Sequence, residues 1–352
     1  MEKTIITVTG IRPDFIRMSE IFKKLDDNFN HILIHSGQHF DRLLSDVFFE
    51  ELEIREPDYN LGVGGMGKEH FHQTAELSVK LIELIRSEEL NPDIILFLGD
   101  SNSVTCAVDL KKEGYMVGHV EAGMRSYDRR MLEEINRVVC DHCSDLLFVY
   151  HDNYKDKALK EGISEDNVFV VGNTIVEVVN KLNYEGHGKN NQIILDIHRP
   201  ENFKYENRLR NIIKFSNDMG NNYKLPVKML GFGRTLEKIK EFNIDLGNIE
   251  VVDLMSFKNY TRAVFDSKFI ISDSGTAQEE PALLGTPVIV PRDFTERPES
   301  VEHNCSYMID VNNTNWSSAE SWLILNCYKA DTKWLGDGTT SDKVIEILKE
   351  RI

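Results

Sequence analysis

Along the chain one figure recurs. A short run of apolar or β-branched residues stops at glycine or small polar residues, and a longer stretch follows in which apolar positions return every three to four residues. Runs of the first kind occupy 4–9, 31–35, 93–98, 116–120, 145–150 and 168–171, and a second series occupies 192–197, 227–230, 249–252, 269–271 and 287–290. Helical spacing marks 15–25, 42–51, 71–88, 133–143, 153–162, 276–284 and 341–350. Strands alternating with helices in series predict an α/β protein with doubly wound parallel sheets. The polar segment 184–191, YEGHGKNN, interrupts the alternation. Its two glycines and lack of apolar residues mark an interdomain linker, which divides the chain into domains 1–183 and 184–338.

In open parallel sheets ligands bind beyond the carboxyl ends of the strands, so the residues that follow each run are the candidates for chemistry. The stretch 269–299 is the richest. Its first strand ends in Ser272-Asp273-Ser274-Gly275 and leads into a helical stretch opening at Thr276. Unpaired N–H groups and partial positive charge at such a helix start attract a phosphate, with Gly275 giving access and Ser274 a hydroxyl. Glu280 is placed to accept from ribose hydroxyls. An ordinary capped helix is the other reading, because Ser and Asp cap helices everywhere. The next strand empties into 292–299, RDFTERPE, which carries more charge than a turn needs and begins with Arg292.

The other strand ends follow suit. Arg12, in the loop after the first strand, and Arg17 one helical turn later can face a phosphate, although Arg17 also fits an exposed helix position. The second strand ends in Ser36-Gly37-Gln38-His39. Asp100 and Glu121 close two further strands, the first as helix cap or catalytic group; a glutamate ending a buried strand needs a function. Glu133 and Glu134 open a helix, where acids are favoured by the dipole alone. His198, followed by Arg199, is the histidine best placed for proton transfer or diphosphate contact, with a structural histidine as the alternative. Phe257 and Tyr260 can flank a base or pack in the core. The glycine-dense segment 62–67 lacks a P-loop ending and reads as an active-site loop, with His70 and His72 as loop histidines beside it.

Composition narrows the classes. The chain has 352 residues, 41% of them hydrophobic, enough for two cores. A net charge of -17 argues against a general nucleic-acid or anionic-membrane surface, so a phosphate must be held locally. No apolar run approaches a membrane span, and MEKTIITVTG enters a strand directly, which together read as a cytoplasmic protein. Five cysteines, unevenly placed, fit reduced thiols. Cys140-Asp141-His142-Cys143 has no second ligand pair at zinc spacing, so no metal site is expected there.

Taken together, the motifs resemble the UDP-N-acetylglucosamine 2-epimerase family of bacteria and archaea, the non-hydrolysing type. The matching segments are Gly10-Ile11-Arg12-Pro13-Asp14, Gly37-Gln38-His39, Gly99-Asp100, His119-Val120-Glu121-Ala122-Gly123, Glu133-Glu134-Ile135-Asn136-Arg137, Gly172-Asn173-Thr174, His198-Arg199, Ser272-Asp273-Ser274-Gly275, Gln278-Glu279-Glu280 and 292–299. The resemblance implies a GT-B-like fold, two Rossmann-like domains with the nucleotide in the cleft between them and the last helix, 339–352, returning to the first domain. It implies inversion at C2 by elimination of UDP to a 2-acetamidoglucal and re-addition on the other face, with no redox cofactor and no essential metal. Chemistry falls on Asp100, Glu121, Glu134 and His198. UDP-sugar binding falls on Arg12, Ser274, Gly275 and Glu280, joined by Arg17, Gln38, His39, Arg199, Phe257, Tyr260, Thr276 and Arg292. A homodimer is implied as well. The chain departs from the family pattern at Ile11, Asp14, Arg17 and Thr276, where threonine, glutamate, lysine and a second glycine are usual. A histidine usual in the second domain, tied to nucleotide or effector binding in bacterial members, is replaced within Leu230-Gly231-Phe232-Gly233-Arg234-Thr235.

Overall fold

The computed structural model describes residues 2–37, 49–64, 69–313, 315–326 and 330–352. These form two compact units, 1–181 with 335–352, and 182–334. In the first, β1 (Thr4–Thr9), β2 (Asn30–His35), β3 (Tyr59–Asn60), β4 (Ile94–Leu98), β5 (Val117–Ala122), β6 (Leu146–Val149) and β7 (Val168–Val170) make one parallel sheet in the order β3-β2-β1-β4-β5-β6-β7. In the second, β8 (Gln192–Asp196), β9 (Val227–Leu230), β10 (Ile249–Val252), β11 (Ser267–Ser272), β12 (Val288–Val290) and β13 (Ser306–Met308) pair in parallel as β10-β9-β8-β11-β12-β13. Strand order reverses beside β1 in one sheet and beside β8 in the other. Loops leaving the two strands at a reversal diverge to opposite faces and open a crevice, and the strand ends there are β1 and β4, and β8 and β11.

The central strands are rich in buried apolar residues because helices cover both sheet faces. Ile6, Val8, Ile95 and Phe97 pack with Leu81, Ile85 and Leu110 in the first unit, and Ile193, Leu195, Phe269 and Ile271 with Ile212, Phe215, Met219 and Trp316 in the second. Each such side chain stabilises its fold by roughly 1.5–3 kcal/mol. The last helix, Thr340–Arg351, lies on the helix Arg12–Asn28, burying Val344, Ile345 and Leu348. Its start is fixed by Glu177, whose carboxylate accepts from the Ser341 amide at 2.7 Å and pairs with its hydroxyl at 2.5 Å.

Two local features differ from the sequence pattern. The strands β3 and β13 are too short to announce themselves. The helix expected over 276–284 is instead a 3-10 turn, Thr276–Gln278, followed by one α-turn, Glu280–Leu283. Pro281 is the reason: it has no N–H to donate to the Ala277 carbonyl, so a continuous helix cannot pass through it. Among the described residues no helix is long and apolar enough to cross a membrane.

Candidate active site

Each sheet carries one cluster of polar side chains at its reversal. In the first unit the loop after β1 is shaped by Asp14, whose Oδ2 accepts from the amides of Gly10 at 3.0 Å and Ile11 at 3.3 Å. Arg12, half-buried, is the first residue of the helix that this loop leads into, Arg12–Asn28. Burial pushes the Asp14 carboxyl up to about 8 despite those two bonds, and the charges of Asp100 and Glu121 push the same way.

Arg17 is not the exposed helix residue its position allowed. It is 2% exposed, and its Nη1 donates to Glu121 Oε2 at 2.9 Å and to Asn173 Oδ1 at 3.4 Å. Arg137, also buried, reaches the same centre: its Nη2 pairs with Asp100 Oδ2 and lies 3.6 Å from Glu121 Oε1. Arg137 thus bridges Asp100 and Glu121.

Glu121 is held in a left-handed conformation, φ +67°, where the β5–β6 register shifts between Val120 and Ala122. That backbone costs about 1–3 kcal/mol for a glutamate. The shift sets the strand end out of its regular alternation.

His119, two residues before Glu121 on β5, is fully buried. One ring nitrogen faces Asp141 Oδ1 at 2.6 Å and the other the Gly99 carbonyl at 2.7 Å. Both partners accept, so both nitrogens must donate and the ring is an imidazolium. Burial alone would lower its pKa; Cys140 and Asp141 more than offset that and hold it well above the ordinary value. The second Asp141 oxygen takes the Gly123 amide at 3.0 Å and Arg125 at 2.7 Å. Gly123 has φ +76°, and a Cβ there would lie 2.5 Å from the Tyr154 carbonyl oxygen. Gly123→Ala is therefore expected to lower unfolding free energy by about 2–4 kcal/mol in urea denaturation; a loss below about 1 kcal/mol would contradict the packing argument.

Glu134 serves a different local purpose. Its carboxylate accepts from the Ser126 amide, the Ser126 hydroxyl and the Tyr127 amide, each at 2.9 Å, and so fastens the loop before its own helix, Leu132–Cys143. From the same helix Asn136 donates to the Asp100 carbonyl at 2.9 Å. Gln38, His39 and much of the glycine-dense segment lie outside the described residues.

In the second unit, Asp273 is fully buried and accepts from the amides of His198 at 3.0 Å and Arg199 at 3.1 Å and from Asn202 Nδ2 at 3.0 Å. His198 Nδ1 lies 2.9 Å from Asp196 Oδ1 and 3.5 Å from Asp273 Oδ1. Burial opposes charge on this ring, but Asp196 and then Asp273 outweigh it and raise its pKa. Asp196, His198 and Asp273 form the one trio of potential metal ligands among the described residues, with ligand atoms within 4.8 Å. Their oxygens already receive N–H and O–H donors, and the set is satisfied as a hydrogen-bond network.

The turn after β11 holds Ser274, whose hydroxyl is 3.1 Å from that of Thr276. Gly275 has an ordinary backbone, φ −63°. Its lack of a side chain matters because a Cβ would lie 2.5 Å from Glu296 Oε1 and 2.8 Å from Arg297 Nη1. Arg297 pairs with Glu296 and, through Nε at 2.9 Å, with Glu279. Arg292 is 2% exposed, with its guanidinium 5.1 Å from the Phe294 ring centre and Nη1 3.3 Å from Glu296 Oε2. Among the described residues none of its three guanidinium nitrogens has a hydrogen-bond acceptor. Glu280 is buried, and Tyr260 is half-buried; burial, then the charges of Asp196 and Glu280, hold its hydroxyl pKa well above 10. Phe257 begins the helix Phe257–Phe265 and is 3% exposed.

The structure therefore joins Arg17, Asp100 and Glu121 in one cluster, and His198, Arg199 and Ser274 through Asp196, Asp273 and Ser272 in another. Arg137, Arg297, Asp196 and Asp273 take part without having been singled out as site residues. For Arg137 a signal existed in its four-residue offset from Glu133, which puts both on one helix face.

The family model described as UDP-N-acetylglucosamine 2-epimerase matches residues 23–349. The chain belongs to this family. A UDP-N-acetylglucosamine 2-epimerase of Methanocaldococcus jannaschii is 32% identical over 361 residues, covering 97% of each chain. A UDP-2,3-diacetamido-2,3-dideoxy-D-glucuronate 2-epimerase of Pseudomonas aeruginosa is 28% identical, covering 98% of this chain and 99% of the relative. The crystal structure of the M. jannaschii UDP-GlcNAc 2-epimerase in complex with UDP-GlcNAc and UDP is similar with a TM-score of 0.90 at 30% identity, covering 99% of each chain. Two Rossmann-like units, each a parallel sheet with interleaved helices, are the GT-B-like fold of these epimerases.

Proposed function

We propose that this epimerase interconverts UDP-N-acetylglucosamine and UDP-N-acetylmannosamine by eliminating and re-adding UDP. The observation that carries the reading is the Asp100–Arg137–Glu121 cluster at a strand-order reversal, with Glu121 held in a strained backbone. In the forward step the C1–O bond breaks and its electron pair leaves with UDP. A base takes the C2 proton, and C1=C2 forms in the 2-acetamidoglucal. Re-addition returns UDP to C1 and a proton to the opposite face of C2. The C2 proton is weakly acidic, so C1–O cleavage runs ahead and C1 gains oxocarbenium character, which ionised carboxylates stabilise.

Asp100 and Glu121 supply that charge, and they share acid/base work with Glu134 and His198. Arg12, Ser274, Gly275 and Glu280 hold the nucleotide diphosphate and ribose, Phe257 and Tyr260 flank the base, and Arg17, Gln38, His39, Arg199, Thr276 and Arg292 are further contacts to the UDP-sugar. The buried Arg292 guanidinium, near Glu296 but without a hydrogen-bond acceptor among the described residues, is stabilised when an anion supplies one. The reading includes a cytoplasmic homodimer, with domains 1–183 plus 339–352 and 184–338, feeding surface polysaccharide synthesis.

The test is incubation with UDP-N-acetylglucosamine in deuterated water, followed by proton NMR. UDP-N-acetylmannosamine carrying deuterium at C2 is the expected product, whereas free N-acetylmannosamine with UDP would identify a hydrolysing enzyme. The Pseudomonas aeruginosa relative supports a second substrate, a UDP-2,3-diacetamido uronate. Exchange at C2 of that sugar without exchange in UDP-N-acetylglucosamine would select it.

A further inference from the structure

One carboxylate in the second unit serves two of the groups used in the proposed reaction. Asp196, at the end of β8, is 4% exposed. Its Oδ1 lies 2.9 Å from His198 Nδ1, and its Oδ2 accepts from the Ser272 hydroxyl at 2.9 Å. The Ser272 oxygen in turn accepts from the Ser274 amide at 3.1 Å. We propose that Asp196 is a positioning residue, fixing His198 as the Nδ1–H tautomer with Nε2 left for proton exchange or diphosphate contact, and anchoring the Ser274 turn through Ser272.

The tautomer follows from the acceptors. Nδ1 faces Asp196 at 2.9 Å and Asp273 at 3.5 Å, and ionised carboxylates only accept, so Nδ1 must carry hydrogen. Nε2 has no described hydrogen-bond partner, and the ring is 30% exposed. From the other packed elements, Phe232 lies 4.9 Å from the ring and brings no charge, Tyr260 stands near Asp196 and Glu280, and Arg199 opposes the two carboxylates. Asp273 is committed to amides of the chain that carries His198 and to Asn202, which leaves Asp196 as the carboxylate directed to the ring. A residue in this role changes the protonation of His198 without touching substrate.

The inference rests on the epimerase reading only for the use made of His198, and its test needs no turnover. Long-range proton–nitrogen spectra of the nitrogen-15-labelled full chain, assigned with His198→Gln, report ring tautomer and titration midpoint. Wild type is expected to show the Nδ1–H form above its midpoint. Asp196→Asn should lower the midpoint by about one pH unit or more and mix the tautomers. Ser272→Ala removes a hydrogen bond that stabilises the Asp196 charge, strengthens its pull on the imidazolium and should raise the midpoint; it decides the matter if Asp196→Asn does not fold. An unmoved midpoint and tautomer in Asp196→Asn, or an unmoved or lowered midpoint in Ser272→Ala, overturns the proposal. Expected shifts in a protein that exchanges no C2 proton would overturn the epimerase reading and leave the role of Asp196 standing.

Discussion

Glu121→Gln should abolish turnover and weaken the fold at once. Loss of a carboxylate that the proposed reaction uses is expected to reduce kcat by about 10³-fold or more, on the scale of other acid/base and electrostatic groups. The same change leaves Arg17 and Arg137 facing a neutral amide in a buried site, with Arg17 2% and Arg137 0% exposed at the side chain. Breaking a buried ion pair from one side costs roughly 3–5 kcal/mol, because the remaining charge keeps its desolvation penalty. The glutamine can turn its oxygen to Arg17, but its amide then meets Arg137, donor against donor.

Asp100→Asn separates the two effects. Asp100 is 22% exposed at the side chain, and its partner Arg137 keeps Glu121 at 3.6 Å. It should lose turnover on a similar scale with a stability cost of only about 1 kcal/mol. Kinetics in deuterated water, urea denaturation and calorimetric titration with UDP distinguish the outcomes, UDP affinity being nearly unchanged in both variants. Turnover within tenfold of wild type in either would remove that residue from the chemistry.

These residues also mark the limit of what the chain reveals by itself. Strands ending in Gly10, Gly99, His198 and Ser272 stand out because fully buried parallel strands are unbroken apolar runs, and polar residues at their ends are conspicuous. The ion pair of Arg17 with Glu121 spans 104 positions, and that of Arg137 with Asp100 spans 37. No local spacing carries such pairings, so Arg17 was as easily an exposed helix residue. At Gly275 the fold adds a reason for smallness that no local spacing carries, since Glu296 and Arg297 press on the position. Pro281, by contrast, is a local signal that the helix expected over 276–284 passed over, since its missing N–H is enough to divide that helix. The imidazolium of His119 needed Asp141 and the Gly99 carbonyl brought to opposite edges of one ring, which only the fold does.

Asp14→Asn is expected to stabilise the protein, and increasingly so as pH rises. The carboxyl pKa is pushed up to about 8 in the fold, against 3.8 as the ordinary value. Between those values the folded chain binds a proton that the unfolded chain has released, so unfolding free energy falls as pH increases. One pKa unit is about 1.4 kcal/mol, so the loss reaches roughly 4 kcal/mol by pH 7 and levels off above pH 8. Asparagine keeps an oxygen for the Gly10 and Ile11 amides that Asp14 Oδ2 now accepts, yet has nothing to titrate. The variant should therefore match wild type near pH 4 and exceed it by several degrees in Tm at pH 8, in thermal unfolding across that range. A constant difference between the two proteins would mean that Asp14 is ionised in the fold. The gradient also bears on the proposed catalysis: a neutral Asp14 beside Asp100 and Glu121 adds no third negative charge, so Arg17 and Arg137 balance the two carboxylates assigned to the proposed reaction. Deprotonation of Asp14 above pH 8 would break that balance in wild type and leave it intact in the asparagine variant.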